Sequence, residues 1–160
     1  MELKIPLAVV SPADVTRLIR ELNSLDDFFA GAAARKSGSA SPTPPRLTRL
    51  LDSLAKENQI NLLDAAGRKD LEAKLQNLLK VAPALHISFA VDPPPKALER
   101  ILIWLRENID PNVLVKVGLQ PTIAAGCILR TPNKLFDMSL RARLKNQEPY
   151  LAKLIAGAIK

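Results

Sequence analysis

Two residue types in this sequence could together do nucleophilic or metal chemistry, and each occurs once: Cys127 and His86. A thiolate beside an imidazole is a nucleophile–base pair, and a set of Cys and His at short spacing holds zinc. One copy of each leaves no histidine pair and no Cys/His metal set, so no metal is expected. Cys127 follows Gly126 in an apolar run with no histidine nearby in sequence. It reads as a small buried hydrophobe rather than a nucleophile. His86 alternates with apolar residues that face the other way, which places it on the outer face of a strand or under a helical element.

The acidic candidates are no stronger. Asp26 and Asp27 adjoin each other, but neighbouring positions of a helix point in different directions and make a poor acid/base pair. The six glycines stand singly and form neither GxxxxGK nor GxGxxG, so no phosphate loop and no cofactor are expected. Asp137 lies two residues before Ser139 at a strand-to-helix corner, where its carboxylate can accept backbone N–H groups at the helix start. That is a structural role. The expected site lists are therefore empty for catalysis, cofactor and metal.

The elements that would position these residues follow from composition and period. The chain has 160 residues, 48% of them hydrophobic, 24% charged and only 4% aromatic. This is the balance of a folded globular protein whose core rests on Leu, Ile, Val and Ala. No apolar run approaches the ~20 residues needed to span a bilayer, and the opening "MELKIPLAVV" is a poor secretory leader. The net charge is +7, and from residue 130 onward seven basic residues face only Asp137 and Glu148. Such an end suits phosphates or an acidic protein surface.

"SPADVTRLIRELNSLDDFF" predicts a helix over residues 12–29: Ser11 can cap, Pro12 suits the first position, and Asp14 favours the positive end. Val15, Leu18, Ile19, Leu22 and Leu25 share one stripe. That stripe is a candidate partner-binding face, covered either by helices within 46–80 or by another subunit. Gly38 to Pro45 reads as a Ser/Pro linker. Leu47, Leu50, Leu51 and Leu54 predict a second helix. Leu62, Leu63, Leu71, Leu75, Leu78 and Leu79 predict a third, with a bend or break at Gly67. The second half changes period: "ALHISFAV" and "NVLVKVGL" alternate as strands around the helix "KALERILIWLREN". "GCILRT", the turn "PNK" and "LFDM" make a hairpin. Ser139 then caps a last helix carrying Leu140, Leu144, Leu151, Leu154 and Ile155 toward the core. The expected organisation is 1–37 helical, 38–45 linker, 46–82 a helical hairpin and 83–160 a small domain. The fold class is α+β, with N-terminal amphipathic helices followed by a mixed sheet that has helices on one face.

The stretch Pro121, Ile123, Gly126, Ile128, Leu129, Arg130, followed by Asp137, Ser139, Leu140, Arg141, Arg143, Leu144, resembles the C-terminal domain of the delta subunit of F-type ATP synthase. In that family a Pro and a Gly pair precede an apolar strand, a hairpin, Asp-x-Ser and a basic helix. The similarity extends upstream through "LLDSLAKENQINLLDAAGRKDLEAKLQNLLKVAPALHISFAV", covering about residues 46–147. Ala125–Gly126 stands where the family has its Gly pair, which a methyl at 125 allows only if that backbone avoids positive φ. The family opens with a six-helix bundle, of which this sequence offers one helix, a linker and the last two.

The resemblance implies a non-catalytic peripheral-stalk, or stator, subunit. Its expected partners are subunit b and the alpha subunits of the catalytic head. Its expected place is the cytoplasmic side of the cell membrane, peripheral and reached only through the complex. It implies no small-molecule substrate and no nucleic acid. The rival reading, from the basic end, is a small nucleic-acid-binding domain, although no recognisable docking motif or exposed aromatic pair accompanies the charge.

Overall fold

The computed structural model describes residues 3–34 and 45–158; most of the expected Ser/Pro linker, 38–44, lies outside the described residues. In chain order the elements are α1 (Pro12–Ala34), α2 (Arg49–Glu57), α3 (Ala65–Val81), β1 (Ala84–Phe89), α4 (Pro95–Asn108), β2 (Leu114–Leu119), a short 3-10 turn (Pro121–Ile123), β3 (Cys127–Arg130), β4 (Leu135–Asp137) and α5 (Leu140–Ala158). The fold is α+β, as expected from the change of period.

Short polar side chains set the starts of α1, α2, α3 and α5, whereas α4 opens on prolines, with Pro94 before it and Pro95 at its first position. The Asp14 carboxylate accepts the Ser11 N–H and the Ser11 hydroxyl, both at 2.8 Å, and the Ser11 Oγ accepts the Asp14 N–H. This is a reciprocal capping box. Thr48 caps α2 by accepting the Leu51 N–H, and its hydroxyl donates to Glu21 of α1 at 2.6 Å. Asp64 caps α3 by accepting from Ala66 and Gly67. Gly67 therefore sits in the first turn of α3 rather than at a break, and Leu62 and Leu63 precede that helix. The apolar rhythm ran through the cap because a tight turn can keep leucines near helical spacing.

The three helices enclose one core. Val15, Leu18 and Leu22 are fully buried against Leu51, Leu54, Leu71 and Leu75, with Leu25 nearly so and Ile19 packed at the margin. The stripe expected as a partner-binding face is thus interior, covered by the chain's own α2 and α3. Burying a leucine is worth about 1.5–3 kcal/mol, which outweighs leaving the face open when two short helices can close over it. Arg68, itself buried, pairs with Asp26, donates to the Leu62 carbonyl at 2.8 Å and lies over the Phe29 ring.

The sheet order is β2-β1-β3-β4. β1 runs parallel to β2 and antiparallel to β3, and β3 and β4 form the hairpin. Leu102 and Leu105 of α4 cover Leu85, Ile87 and Val115 on one face, with Val113 just before β2, forming a second core. The segment before α1 joins the two. Val9 lies in the helical core, Val10 packs on the sheet core, and the Val115 N–H donates to the Val10 carbonyl at 2.8 Å.

The last helix departs from expectation. Leu140, Leu144 and Ile155 were expected to face the core, yet they are 47%, 53% and 61% exposed; the side chains of Leu151 and Leu154 lie outside the described set. α5 leaves the sheet at the Ser139 corner, and Leu140, Leu144 and Ile155 stay uncovered.

A candidate partner-docking groove beside α4

Strand alternation divides the chemistry between two faces. Cys127 pairs with Phe89 and faces α4, whereas His86 pairs with Arg130 on the other face. The single thiol and the single imidazole are separated by the sheet and cannot act together. Burial pushes the Cys127 thiol above its ordinary pKa, which favours the unreactive protonated form. Among the described residues no cluster of three His, Cys, Asp or Glu could hold a metal ion.

The motif residues assemble one corner. Pro121 starts the 3-10 turn and Ile123 is buried beneath it. The Ala125 N–H then donates to the Ile123 carbonyl, which puts Ala124 at φ 65° and ψ −54°. Positive φ thus falls on Ala124 and on Gly126, at 91°, and not on Ala125, so the methyl at 125 is tolerated. A Cβ on Gly126 would stand 2.6 Å from the Met138 carbonyl oxygen. The two halves of the motif meet here: Met138 N–H donates to the Cys127 carbonyl and Leu140 N–H to the Ala125 carbonyl. Asp137 accepts the Ser139 N–H at 2.9 Å, and the buried Ser139 accepts the Ala142 N–H at 3.1 Å to start α5. The Ser139 hydroxyl first, then its N–H and the charge of Arg141, hold the Asp137 carboxyl below the usual carboxylate range. Arg141, Arg143 and Leu144 are exposed on α5, and Arg130 ends β3 on the face away from α4.

Against this corner opens an apolar recess, a groove of about 380 Å³ between α4 and β3. Ile101 and Trp104 form one wall, Cys127 and Leu129 the other, Ile87 lies between, and Met138 closes the end. Trp104 is 57% exposed, and Phe136, opposite Leu129 on the same face, is 46% exposed. Arg100 stands at the rim, and the basic residues of α5 begin immediately past Met138. The sequence reading missed this groove. Its one available signal was Trp104, which lies beside the Leu98, Ile101, Leu102, Leu105 stripe rather than within it.

An apolar recess beside an exposed tryptophan has the chemistry to take another apolar side, such as one face of a helix. Fold and groove together define a small α+β protein with an open apolar recess beside its sheet. Two curated proteins named ATP synthase subunit delta are similar to this chain, from Xylella fastidiosa strains M23 and M12. Each is 26% identical over 102 residues, which is 62% of this chain and 56% of the relative. The chain thus spans just over half the length of the curated relatives it matches. No family model matches the chain.

Proposed function

We propose that this chain is a non-catalytic peripheral-stalk subunit of an F-type ATP synthase, linking the catalytic head to subunit b so that proton flow is coupled to ATP synthesis. The head has to be kept from turning with the rotor, so torque passes through static joints of this kind. Subunit b is assigned to the groove beside α4, and the alpha subunits of the head to the outer surface of α1–α3. The protein then sits peripherally on the cytoplasmic side of the cell membrane. No helix among the described residues is long and apolar enough to cross it.

The observation that carries this reading is the uncovered apolar groove with Trp104 at its edge, found in a chain similar to delta subunits. A lasting joint needs about 1,000 Å² or more of buried surface in total. The groove, Phe136, Met138 and the apolar side of α5 offer a contiguous route to it. The basic residues of α5 favour an acidic partner helix and speed encounter more than they add affinity. The head contact cannot use Val15, Leu18, Leu22 and Leu25 without unpacking the helical core.

The test is capture of purified subunit b and of the head by the full chain, with Trp104→Asp and Met138→Asp compared. Each variant should weaken capture of subunit b by about tenfold or more, as expected for a buried apolar anchor, and leave head binding unchanged. Undiminished capture by both variants, or recovery of neither partner by the unaltered chain, overturns the assignment. The nucleic-acid alternative rests on the basic end alone. Among the described residues Phe89, Phe136 and Trp104 lie on the α4 side of the sheet, so none of these three adjoins Lys116 and Arg130 on its other face.

A further inference from the structure

The open face of the sheet carries a surface that a docking groove does not account for. In register, Lys116 of β2 and Arg130 of β3 flank His86 of β1 on either side. Three basic side chains therefore form one row across three strands, with neighbours about 5 Å apart at Cβ. None of the three enters an ion pair among the described residues, so Lys116 and Arg130 carry unpaired positive charge on either side of the imidazole. Asp137 faces the same side one step along, opposite Ile128, but its carboxylate is already engaged by Ser139.

One position further, Gly118 lies opposite Ser88. The space above this glycine is where the polar groups converge. His86 Nε2 lies 2.8 Å, and Ser88 Oγ 3.7 Å, from the point where a Cβ would stand. Gln120 and Arg130, with Ile128 and Leu135 as apolar walls, complete a recess of about 170 Å³ around His86 and Ser88. Among the side-chain hydrogen bonds of the described residues, none involves Lys116, His86, Ser88, Gln120 or Arg130.

We propose that this recess binds a phosphate-class oxyanion, free or as the terminal group of a nucleotide. Arg130 can present two parallel N–H donors to such an oxyanion. Ser88, His86 and Gln120 offer further donors around it, and Lys116 adds a point charge. Gly118 gives the room, since any side chain there would meet the imidazole. The bound anion offsets the unpaired charges of Arg130 and Lys116.

The experiment is a titration of inorganic phosphate into the full chain at constant ionic strength, followed by NMR of the imidazole of His86, the only histidine. A saturable shift is expected. Gly118→Ala and the exposed Arg130→Gln should each weaken binding by about tenfold or more, the scale of a lost charge-assisted hydrogen bond, with circular dichroism unchanged. A parallel titration with ADP separates the two sources: tighter binding than phosphate assigns the anion to a nucleotide, equal or weaker binding to the free ion. A non-saturating shift, an equal response to chloride, or unaltered binding by Arg130→Gln overturns the proposal. So does saturation by an RNA oligonucleotide where neither phosphate nor ADP saturates. The measurement needs no synthase component, so its outcome is independent of the stator reading.

Discussion

Nη2 of Arg106, on the helix that covers the sheet, donates to the Val9 carbonyl at 2.6 Å. Its Nη1 donates to the carbonyls of Ile5 and Pro6, both at 3.1 Å. On the other side of the same strap Asn58, at the end of α2, exchanges two hydrogen bonds of 2.8 Å with the backbone of Lys4. One segment before α1 is thus pinned to both cores, and Arg106 is a pin on the sheet side. Burial lowers the Arg106 pKa and nearby Glu57 works against that shift; a guanidinium stays charged under such a push.

Replacing Arg106 with Met keeps much of the volume and removes every donor. The loss should lie near 1–3 kcal/mol, since hydrogen bonds to charged groups are involved and one guanidinium nitrogen, Nε, already lacks a partner. Urea unfolding followed by Trp104 fluorescence and by helical circular dichroism measures it. An unshifted midpoint would mean that packing of Val9 and Val10 alone holds the strap.

Leu18 has no exposed surface and lies at the centre of the helical core. Leu18→Ala should cost about 2–5 kcal/mol by lost transfer energy and the cavity left behind. Ile19→Ala, at the core's margin, should cost distinctly less. Denaturant midpoints of the two variants give the comparison. Equal losses would contradict the placement of the stripe.

The turn before β3 makes a pair of opposite predictions. Gly126→Ala places a methyl against the Met138 carbonyl at a positive φ, and should destabilise by about 1–3 kcal/mol. Ala124→Gly relieves a residue held at φ 65° and ψ −54°, the centre of a strained γ-turn, and should raise stability by about 0.5–1 kcal/mol. Thermal melts of both variants check the signs.

Asp137 gives the protein an acid-sensitive corner. Its carboxyl is lowered in the folded state, so its stabilisation is complete above the ordinary carboxylate pKa of about 3.9 and is lost as pH falls through the folded value. Asp137→Asn should therefore be the less stable protein at pH 7, and the two should converge in strong acid. A melting-temperature series from neutral to acid pH reads this directly. Parallel curves with no convergence would remove the Ser139 contacts as the cause.

Local signals carried the helix starts and the strands. Ser11 with Asp14 and Pro12 marks a helix start because side-chain oxygens and a fixed φ act within one turn. Leu85, Ile87, Val115 and Leu129 alternate because a pleat has two sides. Asp137 with Ser139 is legible for the same reason, since the bond it makes spans two residues. Leu62 and Leu63 were misassigned to a helix because spacing alone does not report a cap at Asp64.

What the sequence by itself determined is which residues are helical or extended and which side of each is apolar, because backbone preference and side-chain period act over a few residues. What covers an apolar side is a matter of partners distant in the chain, and only the tertiary structure decided it. The stripe of α1 is closed by α2 and α3, while Leu140, Leu144 and Ile155 of α5 are left exposed. The groove of Trp104 and Met138, the row of Lys116, His86 and Arg130, and the hold of Arg106 on Val9 likewise exist only through contacts between distant segments. No local period encodes such pairings, since each depends on how separate elements pack in three dimensions.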